Sequence, residues 1–168
     1  PTEGALIVSA EKAGLGKKDL DTEYPRIDEI EFTSERKMMT TLHKHHGEKL
    51  AFVKGAPEII LKLCNYILIN GKAKKLAEKE KQEILEINRE FANDALRVLG
   101  FAYKTIVNDK APEKNLIFAG LQGMIDPARP EVRIAVEKCR NAGIKVVMIT
   151  GDHEITANAI AREIGLEG

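Results

Sequence analysis

The sequence predicts an α+β fold, an antiparallel sheet flanked by helices, followed by an α-β-α fragment of a parallel sheet. Three observations predict it. Short β-like runs at 37–44 and 48–54 flank His43-Lys44-His45-His46-Gly47, and Ile67-Leu68-Ile69 runs into Asn70-Gly71, both hairpin signals. A few helical patterns are mixed among these runs. After Asp126-Pro127-Ala128-Arg129-Pro130 the rhythm changes to helix, apolar strand, helix.

Taken in order, residues 2–13 read as a helix, with Thr2 as a candidate cap and Gly14 as its stop. Residues 16–25 read as a polar connection, and 26–33 as the first strand. Pro57 opens a helix that runs to about Cys64, because proline suits the first helical turn. A longer helix follows from about Ala77 to Ala95, with Ile84, Ile87, Phe91 and Ala95 on one face. Strand character returns at 97–106 and 116–125. Two prolines in the 126–130 segment mark a stiff connection, so domains are expected at 1–125 and 126–168. The second holds a helix at 131–141, a strand at 144–149, the corner Thr150-Gly151-Asp152 and a helix at 154–164. So short a stretch cannot complete a parallel sheet, and reads as a fragment.

Composition narrows the class. The chain has 168 residues, 43% apolar and 31% charged, which fits a soluble globular protein and is too apolar for a disordered one. Its formal net charge of zero argues against broad attachment to nucleic acid or anionic lipid. No apolar run approaches the roughly 20 residues that cross a bilayer. The opening Pro-Thr-Glu-Gly has no signal-peptide character, and the missing initiator Met suggests a processed chain or an excised fragment. Cys64 and Cys139 lie far apart in apolar helical patterns and read as buried reduced thiols, which points to a cytosolic compartment.

Three segments carry candidate chemistry, each with a plain alternative. At Thr150-Gly151-Asp152 a strand end meets a helix start, where free N–H groups and a hydroxyl gather phosphate. Asp152 there either holds a magnesium-bound water, orients Thr150, or simply caps the helix. At Lys54-Gly55-Ala56-Pro57-Glu58 a strand-end lysine either offers its ammonium to phosphate, with Gly55 allowing close approach, or is merely solvated. In Glu31-Phe32-Thr33-Ser34-Glu35-Arg36-Lys37, Phe32 either stacks on a purine, with Lys37 or Arg36 near its phosphates, or belongs to the core.

Other chemistry is set aside. No Gly-x-x-x-x-Gly-Lys-Ser/Thr segment occurs, which excludes a P-loop. His43, His45 and His46 lack a partner set for a metal. Asp19-Leu20-Asp21-Thr22 follows Gly-Lys-Lys and not an apolar strand, so nothing holds it at a sheet edge as a phosphatase nucleophile.

The order of the segments says more than any one of them. It runs from Pro1-Thr2-Glu3-Gly4-Ala5-Leu6 to Glu31-Phe32 with Arg36-Lys37-Met38-Met39. Phe52-Val53-Lys54-Gly55-Ala56-Pro57-Glu58 and Leu96-Arg97-Val98-Leu99 follow. Gly123-Met124-Ile125-Asp126-Pro127-Ala128-Arg129 and Met148-Ile149-Thr150-Gly151-Asp152 complete it. Over nearly the whole chain this series resembles the P-type cation-transporting ATPases, in particular the calcium and sodium/potassium pump group.

The resemblance implies a nucleotide-binding domain up to about Ile125, then part of a haloacid-dehalogenase-like phosphorylation domain. It implies that Phe32 stacks on adenine, Glu3 sits near the adenine edge, and Lys54 with Gly55 lines the pocket floor. Lys37 adds positive charge, and Arg97 reaches toward the phosphates. Asp126 and Pro127 lie at the interdomain hinge, and Thr150, Gly151 and Asp152 face the γ-phosphate. The implied ligands are ATP and ADP, with Mg2+ in the intact parent. The implied partners are the phosphorylation, actuator and membrane parts of a pump, calcium being the expected cation, with this chain on the cytoplasmic side.

The family's Asp-Lys-Thr-Gly-Thr and Gly-Asp-Gly-x-Asn-Asp segments do not occur in these residues. The resemblance therefore implies an interior slice that binds nucleotide without turnover. Two other readings stay open at this level: a self-contained haloacid-dehalogenase-like phosphatase, and a non-catalytic interaction module that has kept the fold and lost the ligand.

Overall fold

The computed structural model describes residues 2–94, 96–107, 111–125, 128–150 and 154–166. The chain divides into two compact units. Pro1–Leu85 with Val98–Gln122 forms the first, and Glu86–Arg97 with Gly123–Gly168 forms the second.

The first unit opens with α1 (Thr2–Lys12), α2 (Lys17–Glu23), β1 (Arg26–Ile30), β2 (Met38–His45) and β3 (Glu48–Gly55). It continues with α3 (Pro57–Leu63), β4 (Cys64–Ile69), β5 (Lys72–Lys75), α4 (Glu78–Asn93), β6 (Arg97–Ile106) and β7 (Leu116–Met124), the last three running partly into the second unit. The described strands join in one sheet, in the order β1-β2-β3-β6-β7-β4-β5.

Both predicted hairpins form, and their turns explain why. The β2–β3 register runs from Met38↔Gly55 to His45↔Glu48, leaving a two-residue loop. His46 and Gly47 both have positive φ, 47° and 85°, the hand that matches the strand twist. Asn70 and Gly71 turn β4 into β5 in the same way, with φ of 50° and 75°. The pairs β1–β2, β2–β3, β3–β6 and β4–β5 are antiparallel, whereas β4 runs parallel to β7, with Cys64 opposite Leu116 and Ile67 opposite Phe118. A parallel pair needs a long crossover, here the chain through α4 and β6, so no local turn signal announces it.

Period-2 alternation puts the core on one sheet face. Thr40, Val53 and Ala102 follow one another across β2, β3 and β6, and all are buried. Leu116 and Phe118 extend this face on β7, and Ile60 and Leu61 of α3 cover it, with Ile84 and Leu85 of α4 packed alongside. Full burial of a side chain such as Val53, Ile60 or Leu116 stabilises by about 1.5–3 kcal/mol. Pro57 starts α3, and Ile60 N–H donates to the Ala56 carbonyl at 3.0 Å. The helix lies so close to the sheet that a Cβ on Gly100 would stand 3.1 Å from the Pro57 Cα.

Two local expectations need correction. The polar connection 16–25 contains the helix α2, where Lys17 pairs with Asp21 one turn on and Thr22 Oγ1 donates to the Lys18 carbonyl at 2.9 Å. Charge at helical spacing replaced the apolar stripe by which helices are usually read. Thr2 is the first helical residue of α1 and not the cap before it. The α3 boundary falls where expected: Leu63 is its last residue, and Cys64 caps it and begins β4.

Both cysteines are free, Cys64 buried and Cys139 half-buried. Burial pushes the Cys64 thiol from its ordinary 9.0 up to about 12, with Lys81 pulling partly the other way. Between those two values the unfolded chain binds fewer protons than the native one, so this group makes stability fall as pH rises from about 9 to about 12. A thiol reagent at pH 8 is expected to label Cys139 in the native protein and both cysteines in denaturant, as read by mass spectrometry. Rapid native labelling of Cys64 would contradict its placement.

In the second unit, α5 (Pro130–Asn141) ends at Gly143, whose φ is 72°, and Ile144 N–H donates back to the Cys139 carbonyl at 2.9 Å. Val136 of α5 and Ile164, just beyond α6 (Glu154–Glu163), are buried, and the Arg140 guanidinium donates to the Gly165 carbonyl. Residues 144–150 form no strand. The apolar run was expected to be one, but a strand exists only with a neighbour to bond, and none adjoins it among the described residues. Ile144, Val147 and Ile149 are left 58, 69 and 94% exposed. Asp126, Pro127, Gly151 and Asp152 lie outside the described residues.

Candidate functional site

The sheet face opposite the core carries Met39, Lys54 and Phe101 in one cross-strand row and Thr41, Phe52 and Tyr103 in the next. These six side chains, with Leu68 and Ala119, line an open cleft of about 360 Å³. That volume falls in the range of small-molecule sites, and the walls are mainly apolar and aromatic.

Lys54 and Arg26 are the cations of this lining, and Arg26 pairs with Glu29 at 2.6 Å. The Lys54 stem lies between Met39 and Phe101 across the strands, and its side chain is only 22% exposed. Its ammonium donates to both carboxylate oxygens of Glu3, each at 2.6 Å. Glu3 stands in the first turn of α1, where a carboxylate also meets the positive end of the helix dipole. The fold thus brings together two predicted site residues 51 positions apart, and Lys54 is not the merely solvated lysine of the alternative reading. The Glu3 side chain is 69% exposed, so the pair adds little to stability. Its effect is to fix where the ammonium points.

Phe32 and Lys37 lie on the segment joining β1 to β2. Phe32 is 58% exposed, so it is not a core residue. The segment is tied internally: Lys37 N–H donates to the Thr33 carbonyl at 2.8 Å, and the Arg36 guanidinium donates to the Glu31 carbonyl at 2.8 Å. Lys37 is exposed and takes a left-handed φ of 52°. That bend turns its carbonyl toward Ala56, between β3 and α3, whose N–H donates to it at 2.9 Å. The close approach that Gly55 allows is therefore filled by the chain itself. A Cβ on Gly55 would lie 2.5 Å from the Lys37 carbonyl oxygen and 2.6 Å from the Met38 Cβ.

The Arg36 guanidinium pairs with Glu113 on the β6–β7 connection. Glu113 Oε1 also accepts from Thr40 Oγ1 at 2.6 Å, satisfying a hydroxyl on a fully buried residue. Arg97 is the exposed first residue of β6 and belongs to the second unit, as does the exposed Thr150. Among the described residues, no group of three or more His, Cys, Asp or Glu could hold a metal ion. No described helix is long and apolar enough to cross a membrane.

Sequence reading did not find Met39, Thr41, Phe52, Phe101 or Tyr103, whose meeting is a matter of strand register. The alternation Leu99-Gly100-Phe101-Ala102-Tyr103, large and small in turn, was the available signal. Glu113 had no local signal at all.

The architecture is an α+β domain with a helix-covered core face and an open face where one lysine stands in an apolar cleft. Sequence comparison gives that class its family. The sequence model of the P-type ATPase cytoplasmic domain N matches residues 1–131, and the chain belongs to that family. It is 45% identical over 170 residues to calcium-transporting ATPase 1 of Bacillus cereus, covering 99% of this chain and 19% of that protein. Against calcium-transporting ATPase 1 of Lactococcus lactis the identity is 42%, over 99% and 20%. Against the sodium/potassium-transporting ATPase subunit alpha-1 of Oreochromis mossambicus it is 39%, over 98% and 18%. The chain thus spans about a fifth of the length of these relatives.

Proposed function

We propose that this chain is the ATP-holding part of a cation-transporting P-type ATPase, with calcium the transported ion, as the names of two of these relatives say of them. The observation that carries the reading is Lys54, set by Glu3 at a cleft whose aromatic and apolar walls suit a nucleoside. Phe32 offers an exposed ring for adenine, and Lys37 adds charge on the same segment. Arg97 is assigned to the phosphates, and Thr150, Gly151 and Asp152 to the γ-phosphate in the longer protein. Asp126 and Pro127 are assigned to a hinge between domains at 1–125 and 126–168.

In the longer protein, ATP held here gives its γ-phosphate to an aspartate outside these residues, and the phosphoenzyme drives transport across the membrane on whose cytoplasmic side this part lies. Phosphoryl transfer needs an in-line nucleophile and Mg2+. No Asp-Lys-Thr-Gly-Thr segment occurs in the 168 residues, and we assign none of the magnesium ligands to the described ones. The chain by itself is therefore expected to bind ATP and ADP without hydrolysing them.

An NMR titration with ATP tests this directly. Saturable shifts confined to residues around Phe32, Lys37 and Lys54, with no phosphate released over hours, are expected. Absence of shifts at millimolar ATP would favour an interaction module that has lost its ligand. Phosphate release that survives Thr150→Ala would contradict the division of labour.

A further inference from the structure

We infer that Glu113 is a positioning residue for the Phe32-bearing segment, acting through Arg36; the consequence for nucleotide rests on the function proposed above. Residues 31–37 leave the sheet after β1 and return at β2, so strand pairing does not order them. Beside the bonds that Lys37 makes to Thr33 and Ala56, Arg36 ties them to the rest of the domain. One arm of its guanidinium donates to the Glu31 carbonyl at 2.8 Å, beside Phe32, and its backbone N–H donates to Thr33 Oγ1 at 3.2 Å. The other arm pairs with Glu113, 77 residues away in sequence. This pair is not an ordinary surface one, since the two side chains are only 29 and 25% exposed.

Glu113 is itself held. Thr40 Oγ1 donates to the same carboxylate oxygen at 2.6 Å, and Thr40 is fully buried in β2. The turn that carries Glu113 is clamped by Lys104 Nζ, which donates to the Lys114 carbonyl at 3.0 Å and the Ala111 carbonyl at 3.4 Å. The load path is continuous: core strand, Glu113, Arg36, Glu31 carbonyl, Phe32. The β6–β7 connection therefore sets where the Phe32 ring stands, although it contributes nothing to the cleft lining on the Lys54 face.

Breaking the latch leaves the sheet intact and lets the segment sample conformations in which Phe32 is misplaced. Apparent affinity falls by the fraction of time the competent conformation is lost. Glu113→Gln weakens the latch, because the amide oxygen that can still accept from Thr40 and Arg36 no longer carries the charge that holds the guanidinium. Arg36→Met breaks the same latch from the other side.

The test combines hydrogen exchange of the ligand-free protein with ATP titration. The amide of Lys37, bonded to the Thr33 carbonyl, is expected to exchange about tenfold faster in each variant, while the β3 amides keep wild-type protection. ATP is expected to bind about fivefold more weakly to each, and the double variant to bind no worse than either alone. Unchanged exchange at Lys37, acceleration spread equally over the whole sheet, or simple additivity of the two variants would overturn the latch. If the wild-type protein fails to bind ATP, the nucleotide reading falls, and exchange at Lys37 still decides whether Glu113 orders the segment.

Discussion

Substituting Gly55 by alanine should destabilise the first unit by about 3 kcal/mol, a drop in melting temperature of roughly 10 °C or more. The reason is steric and local. A Cβ at this position would meet the Lys37 carbonyl oxygen at 2.5 Å, the Met38 Cβ at 2.6 Å and the Met38 Cα at 2.7 Å. None of these is the free end of a flexible side chain. The Lys37 carbonyl cannot withdraw without giving up the Ala56 N–H, and Met38 is a buried core residue paired opposite Gly55. Relief requires parting β2 from β3 where the Phe32 segment rejoins the sheet. Gly4→Ala is the control from the same chain. Gly4 lies inside α1 with nothing within 4 Å of its would-be Cβ, so alanine there should stabilise by about 0.5–1 kcal/mol. Thermal unfolding followed by circular dichroism checks both. Equal, small effects would show that Gly55 is not packed as described.

The hairpins were legible because their turns depend on local chemistry: Asn70-Gly71 and His46-Gly47 accept positive φ, and the flanking runs supply the strands. The helices α3 and α4 were legible from Pro57 and from apolar spacing. What escaped was set by pairing at a distance. The parallel contact of β4 with β7 depends on which edge β7 leaves free, and β4 itself carries no mark of it. The run Ile144–Ile149 has the residues of a buried strand and forms none, because strand propensity measures fit to a partner. The candidate site divides in the same way. Lys54, Glu3 and Phe32 were visible as segments in a family order, whereas Phe101, Tyr103 and Thr41 came to the cleft by register alone. Arg36 was read as a phosphate ligand candidate, and only the fold showed that Glu113 already holds it.

Lys54→Ala and Phe32→Ala should both weaken ATP binding, by different physics that one added variable can separate. Lys54 presents a single ammonium from an apolar row between Met39 and Phe101. Charge-assisted hydrogen bonds of this kind contribute about 1.5–3 kcal/mol, so its removal should raise Kd roughly tenfold to a hundredfold. Phe32 contributes an exposed ring, and stacking of a base on an aromatic side chain is worth about 1–3 kcal/mol, a comparable loss. Salt tells them apart. An ionic contact with phosphate is screened, so raising ionic strength should weaken wild-type binding and shrink the penalty of Lys54→Ala. The penalty of Phe32→Ala should hold nearly constant, because stacking carries no net charge. Adenosine sharpens the contrast: lacking phosphates, it should lose affinity with Phe32→Ala and scarcely respond to Lys54→Ala. Calorimetric titrations at two salt concentrations with both ligands give eight affinities for the two variants. A Lys54→Ala penalty equally large for adenosine and indifferent to salt would mean that Lys54 shapes the cleft through packing against Met39 and Phe101 and does not bind phosphate.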